Sequence, residues 1–164
     1  MISKTLQDAF NEQINKELFS SYLYLSMAAW CEDRNLPGFA SWLAGQEAEE
    51  RSHAMKLYKH LADRGGRIEL KPIAGPRQVW SCPMELFKEV QAHEQAITSA
   101  IGALYETAVA EKDYPGQIML QWFIAEQVEE EKTAAQIVHQ LQLIEDHGTA
   151  VLMLDHQLAK RGKA

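Results

Sequence analysis

The chain contains four long segments in which apolar residues recur with the period of an α-helix. They cover about residues 4–33, 38–64, 84–111 and 116–145, and none has a proline in its interior. Apolar residues at every third or fourth position predict amphipathic helices, and no stretch shows the alternation of a β-strand. A short apolar segment at about 149–161 predicts a fifth helix. We therefore expect an all-α protein.

Proline and glycine divide these helices and constrain their connections. Pro-Gly pairs at 37–38 and 115–116 mark short turns, which predict two antiparallel helical hairpins. The connection at 65–82 is much longer. Roughly 17 extended residues span about 56 Å, more than the length of a 28-residue helix at about 42 Å. This link can therefore cross the bundle and leave helices two and three parallel. We expect one domain over 1–164, with the four-helix bundle at about 4–145.

Composition and charge exclude several classes of protein. Hydrophobic residues are 46% and charged residues 24% of the chain, as in ordinary globular proteins. A net charge of −7 argues against a nucleic-acid partner and fits a protein that attracts cations. No apolar run indicates a membrane span or a signal peptide. Cys31 and Cys82 form no CxxC pair, which excludes a thiolate zinc or rubredoxin-type site and predicts a cytoplasmic location.

Each long helix carries a glutamate at the centre of its apolar stripe. With about 100° per residue, Glu17, Glu50, Glu94 and Glu130 each lie within about 20° of apolar residues on both sides. Each also lies near its helix midpoint, so the four are predicted to share a layer about 5 Å deep. Unpaired buried carboxylates cost several kcal/mol each, so these groups are either protonated or balanced by cations. Divalent metal is the simplest cation that fits.

The layer also has a predicted nitrogen ligand. Glu50 and His53 form Glu-x-x-His, whose side chains project one turn apart on one helix. The corresponding place on helix four holds Gln127 and Glu130 as Gln-x-x-Glu. An oxygen-rich set with one imidazole suits iron or manganese better than copper or structural zinc. We interpret the set as a dinuclear site within one bundle.

Helix four contains an acidic stretch, AEQVEEEK at residues 125–132, whose side chains point in different directions on the helical wheel. Glu126 lies about 40° from Glu130, at the edge of the buried face. Gln127 lies about 60° to the other side and borders the layer. Glu129 lies about 100° from Glu130, so helix geometry alone places it in solvent.

Over nearly its whole length the chain resembles the prokaryotic non-haem ferritins. The resemblance is carried by SSYLYLSMA after Glu17, EAEERSHA around Glu50 and His53, HEQAI at Glu94, and QWFIAEQVEEE in helix four. It implies a ferritin-like four-helix bundle with a long crossover between helices two and three and a short fifth C-terminal helix. It also implies a homo-oligomeric shell, typically of 24 subunits, in which the fifth helix packs at fourfold axes and ferric mineral is stored inside.

The resemblance further implies roles for individual residues. The expected ligands of a ferroxidase di-iron centre, with Gln127 beside it, are Glu17, Glu50, His53, Glu94 and Glu130. A third iron site that shares Glu130 is expected at Glu49, Glu126 and Glu129. Tyr24 matches the family's site-adjacent tyrosine.

Departures from related families narrow this expectation. Bacterioferritins have a second Glu-x-x-His where this chain has Gln127 and Glu130, and a haem-binding methionine where it has Arg51. We therefore expect no haem. The CxxC domain of rubrerythrins is absent from this sequence. The mini-ferritins that guard DNA form their iron site between subunits and lack a glutamate layer within one subunit.

The implied activity is oxidation of ferrous iron by dioxygen or peroxide, with the oxidant left open, followed by storage of the ferric product. An alternative is a di-iron or di-manganese enzyme of the same bundle type that acts on peroxide or an organic substrate. A metal-free helical interaction protein is a third class, but it does not explain the layer of four glutamates.

Overall fold

The computed structural model describes residues 2–145 and 147–160, and within these ranges it contains five α-helices and no strand. The helices are α1 (Lys4–Asp33), α2 (Pro37–Asp63), α3 (Pro83–Ala110), α4 (Tyr114–Ile144) and α5 (Gly148–Leu158). The all-α prediction is confirmed, and the four long helices begin and end within two residues of their predicted bounds. The predicted end of the fifth helix, residue 161, lies outside the described residues. No described helix is long and apolar enough to cross a membrane.

Local sequence explains where the helices begin. Pro37, Pro83 and Pro115 occupy the first turns of α2, α3 and α4, where a missing N–H breaks no intrahelical hydrogen bond. At the start of α1, the Ser3 hydroxyl accepts a hydrogen bond from the Leu6 N–H at 3.2 Å. Such a side-chain cap satisfies one of the N–H groups that a helix leaves unpaired at its N-terminus.

The long link between α2 and α3 runs along α1. Near the start of α1, Asn11 Oδ1 accepts a hydrogen bond from the backbone N–H of Glu69 at 2.9 Å. Near its end, the Ser26 hydroxyl donates to the carbonyl of Arg77 at 2.7 Å. Successive residues of the link therefore contact successively later turns of α1, and the link crosses from one end of the bundle to the other.

This path makes α2 and α3 parallel. α1 packs mainly against α2, and α3 against α4, so each short connection forms an antiparallel hairpin. The link returns the chain to the end of the bundle where α2 begins. There the ring of Phe87, near the start of α3, lies 5.4 Å from the rings of both Phe39 and Trp42, near the start of α2. The predicted crossover between helices two and three is confirmed.

The buried apolar residues form two clusters, one toward each end of the bundle. On every long helix the two clusters are separated by an interval that contains one of the four predicted glutamates. These intervals lie between Ile14 and Leu23 on α1, Leu43 and Leu57 on α2, Val90 and Ile97 on α3, and Phe123 and Ala134 on α4. Apolar burial therefore stabilises the bundle from both ends and leaves its middle to polar groups.

The short helix α5 is anchored at the N-terminus of α2. Asp155 is buried, and its Oδ1 accepts hydrogen bonds from the N–H groups of Gly38 at 2.8 Å and Phe39 at 2.9 Å. The N-cap residue Leu36 provides no side-chain hydrogen bond to α2. A carboxylate from α5 thus caps α2, where it also interacts favourably with the helix dipole. A Cβ at Gly38 would lie 1.7 Å from the carbonyl oxygen of Asp155, so the contact requires glycine.

Gly38→Ala should therefore release α5 from α2. Amide hydrogen exchange across residues 148–158 should accelerate roughly tenfold for each ~1.4 kcal/mol of docking free energy lost. The matched control is Gly45→Ala in the same helix, where an added Cβ meets nothing within 4 Å. That control should leave α5 protected and stabilise the protein by roughly 0.5–1 kcal/mol. Unchanged exchange of α5 in Gly38→Ala would contradict the docking contact.

Candidate metal centre

All four glutamates predicted for the bundle axis are buried between the two apolar clusters. Their exposed fraction is 1% for Glu17 and Glu50, 2% for Glu94 and 8% for Glu130. The helical wheels predicted this burial because each glutamate lies in line with apolar residues one and two turns away.

Three of the predicted ligands form a group of the size that holds a metal ion. One ligand atom from each of Glu17, Glu50 and His53 lies within 4.8 Å of the others. The Oε2 atom of Glu17 is buried and accepts no hydrogen bond from any described residue. Buried polar atoms without a partner are rare and destabilising. A cation at this position would satisfy that oxygen, and the carboxylate-rich donor set fits iron.

Glu94 is held on both of its oxygens. The hydroxyl of Tyr24, which is fully buried, donates to Oε1. The amide of Gln127 donates to Oε2 at 3.2 Å. The structure therefore brings Tyr24 and Gln127, both predicted as site neighbours, against the same carboxylate.

His93 packs behind Tyr24. Its Nε2 lies 2.7 Å from the hydroxyl oxygen of Ser20, and its ring meets the Tyr24 ring edge-on at 5.9 Å. Burial lowers the pKa of His93 to about 4, so it is neutral at physiological pH. His93 was not predicted as a neighbour of the site, because it lies about 100° from Glu94 on the helical wheel.

Two further glutamines contact the layer. Gln13 Nε2 donates to Glu17 Oε1 at 2.8 Å, and Gln46 Nε2 donates to Glu130 Oε2 at 2.9 Å. Their exposed fractions are only 2% for Gln13 and 4% for Gln46. Neither glutamine was predicted from the sequence, although a signal was present. Gln13 lies one turn before Glu17, as Gln46 does before Glu50, and residues at this spacing share a helix face.

Burial raises the pKa of every carboxyl group in the layer. The second cause is the neighbouring negative charge of Glu50 for Glu17, and of Glu94 for Glu50. Burial, then the charge of Glu94, raises the pKa of Glu130 to about 7. For Glu94, burial outweighs the opposing hydrogen bond from Tyr24. No described lysine or arginine forms an ion pair with any of the four. The layer therefore ionises only with difficulty unless a cation enters it.

The acids expected for a third iron site lie on the solvent side of the layer. Glu49 and Glu129 are exposed, and Glu126 is half-buried. Glu129 Oε2 lies 3.6 Å from Lys132 Nζ. These three side chains do not form a metal-sized group in the described part of the chain. The third site therefore stays a prediction.

Trp122 is partly exposed and packs against the buried His53. Its ring meets the His53 ring edge-on at 5.4 Å and the Phe123 ring at 4.9 Å. Lys56 Nζ lies 3.3 Å from the centroid of the same indole ring, within the range of a cation–π interaction. Two aromatic side chains, Trp122 and Phe123, thus pack against the imidazole.

Comparison with known proteins gives consistent matches over nearly the full chain. The family model of the ferritin-like domain matches residues 7–144. The bacterial non-heme ferritin of Campylobacter jejuni is 37% identical over 158 residues, or 96% of this chain and 95% of that protein. The bacterial non-heme ferritin of Staphylococcus haemolyticus is 38% identical over 161 residues, or 98% of this chain and 97% of that protein.

A solved structure has nearly the same fold. An open pore ferritin from the hyperthermophilic archaeon Archaeoglobus fulgidus aligns with a TM-score of 0.96 at 43% identity. The alignment covers 97% of this chain and 98% of that chain. The likeness therefore extends over all four long helices that carry the glutamate layer.

The raised pKa of Glu130 predicts how the metal-free protein responds to pH. Between the ordinary glutamate pKa of about 4.3 and the folded value of about 7, the folded state holds a proton that the unfolded state has released. The free energy of unfolding should therefore fall as pH rises through this window. Glu130→Gln removes this loss and should gain on the order of 3 kcal/mol relative to wild type between pH 5 and 8.

Urea unfolding of the metal-free proteins at the two pH values measures this difference. Glu106→Gln is the control, because Glu106 is exposed on α3. If the free energy of unfolding of Glu130→Gln depended on pH as it does in wild type and the control, the raised pKa of Glu130 would be contradicted.

Proposed function

This chain belongs to the ferritin family, whose members store iron, and we propose that it oxidises Fe(II) at its buried glutamate layer. The ferric product is then stored inside a shell built from copies of the chain. The observation that carries this proposal is a layer of four buried carboxylates with raised pKa values, none of which pairs with a described lysine or arginine. Such a layer needs cations, and its oxygen-rich donors favour iron.

The proposed site takes two ferrous ions as substrate. Their ligands would be Glu17, Glu50, His53, Glu94 and Glu130. Entry of the cations releases protons from carboxyl groups whose pKa values burial has raised. Each ferrous ion gives up one electron, so two ions supply the electron pair that, together with two protons from solvent, reduces dioxygen to hydrogen peroxide, or hydrogen peroxide to two water molecules. Tyr24 and Gln127 hold Glu94 during this exchange.

A third iron site at Glu49, Glu126 and Glu129, sharing Glu130, completes the proposal. The charge of Glu49 contributes to the raised pKa of Glu130, which supports their proximity. A cation at this site would compete with Lys132 for Glu129. The site lies toward solvent, where product can leave the di-iron centre.

Exposed apolar residues near α5 support assembly with other copies. The exposed fraction is 71% for Leu143 on α4, and 59% for Leu152 and 71% for Met153 on α5. Leu143 and Met153 line the same surface groove. Exposed apolar surface of this kind marks an interaction site, and closed homo-oligomers bury it symmetrically. The family resemblance supports 24 subunits. The cytoplasmic location is supported by two cysteines that are both free thiols.

Replacing ligands of the layer should abolish rapid oxidation. The double variant Glu50→Gln, Glu94→Gln should lower the initial rate of Fe(II) oxidation by roughly 100-fold or more, since loss of an outer partner alone costs 10–100-fold at metal sites. The rate is followed by absorbance of the ferric product after oxygen is added to anaerobically loaded protein. Glu106→Gln should oxidise iron like wild type. A double variant as fast as wild type would sink the assignment of the layer.

Storage is tested by the amount of iron retained. After repeated additions of Fe(II) in air, the assembled particle should elute from a sizing column with hundreds of irons bound. A di-iron enzyme acting on another substrate would stop near two irons per chain, and that result would overturn storage while leaving the di-iron centre in place. The mass of the particle, measured on the same fractions, gives the subunit number.

A further inference from the structure

The buried carboxylates of the layer receive hydrogen bonds from uncharged groups. Three glutamines contact three of the four: Gln13 holds Glu17, Gln46 holds Glu130, and Gln127 holds Glu94. An amide N–H orients a carboxylate oxygen, but it carries no net charge and so does not neutralise the anion. The carboxylate keeps its affinity for a cation.

The same chain treats another buried carboxylate differently. Asp113 is only 8% exposed, and both of its oxygens accept hydrogen bonds from the guanidinium of Arg64, each at 2.5 Å. This bidentate ion pair joins the end of α2 to the start of α4 and neutralises Asp113 within the protein. At Asp113 the fold supplies a cation. In the layer it supplies amides.

Gln13 and Gln46, which were not predicted from the sequence, form hydrogen bonds of two kinds, one within a helix and one between helices. Gln13 and Glu17 lie on the same helix, so their hydrogen bond restricts the Glu17 side chain within α1. Gln46 reaches from α2 to Glu130 on α4, so its hydrogen bond joins two helices across the bundle. Each amide is buried, which makes the hydrogen bond costly to break without replacement.

We propose that Gln13 and Gln46 are positioning residues of the metal centre, which orient Glu17 and Glu130 through neutral N–H donors and leave their negative charge to the incoming cations. The proposal rests on the proposed function of the layer as a cation site. It makes two predictions, one for loss of the N–H donor and one for its replacement by a positive charge. Loss of the donor lets the carboxylate move and weakens cation binding. A positive charge in place of the donor stabilises the metal-free protein but expels the cations.

The test measures binding of Co²⁺ alone to the assembled protein under anaerobic conditions. Calorimetry gives affinity and number of sites, and the Co²⁺ absorption spectrum reports ligand geometry without any oxidation. Gln13→Met and Gln46→Met keep the side-chain length but remove the donor. Each should weaken Co²⁺ binding by roughly 10–100-fold, as loss of an outer hydrogen-bond partner does at metal sites. Gln142→Met, on an exposed position of α4, is the matched control and should bind like wild type.

Gln46→Lys tests the charge argument directly. It should raise the melting temperature of the metal-free protein by pairing with Glu130, and it should weaken Co²⁺ binding more than Gln46→Met does. A residue that only stabilises the fold would not move these two readouts in opposite directions. If Gln46→Lys fails to fold, the two methionine variants still decide the proposal.

Two results would overturn the proposal, and they are distinguishable. If wild type binds Co²⁺ at the layer and both methionine variants bind within about twofold of it, instead of showing the loss of an outer partner, the glutamines do not position the ligands. If the Glu50→Gln, Glu94→Gln double variant binds Co²⁺ as tightly as wild type does, the layer is not the cation site. The proposed function then fails together with the proposal.

Discussion

The rest of this structure depends on four carboxylates placed at the middle of a four-helix bundle, where no lysine or arginine of the described chain pairs with them. Glu17, Glu50, Glu94 and Glu130 are almost inaccessible to solvent, and burial makes their charged forms unfavourable. The bundle tolerates this layer because two apolar clusters stabilise it from both ends. The layer therefore destabilises the metal-free fold locally, and a bound divalent cation would offset this loss. Cation binding and the stability of the fold are coupled in this way.

The hydrogen bonds around the layer are consistent with this coupling. The carboxylates meet amide and phenol donors, whereas Asp113 elsewhere in the same chain is neutralised by Arg64. Asp113 and the carboxylates of the layer thus differ in the charge of their partners, although all of them are buried. In the layer, protons and cations compete for the same oxygens, so affinity for iron should increase as the carboxyl groups lose their protons.

Much of this arrangement is readable from the sequence because it is local and periodic. The helices, the crossover and the buried glutamates follow from turn residues and from a period of 3.6 residues, and Glu-x-x-His follows from the spacing of one helical turn. The cap that Asp155 gives to α2 was not predictable, because it joins residues 117 positions apart. The hydrogen bond from Gln46 to Glu130 was not predictable for a related reason, since the two residues lie on different helices. For the third site, periodicity places Glu129 in solvent, and it is exposed. Its assignment depends on the family resemblance.

The most direct test of a dinuclear centre is a crystal structure of the protein loaded anaerobically with Fe(II), with data collected on both sides of the iron absorption edge. We expect two anomalous peaks inside the bundle, bounded by Glu17, Glu50, His53, Glu94 and Glu130. Anomalous peaks confined to the protein surface, with none between these five side chains, would rule out a dinuclear centre in the layer.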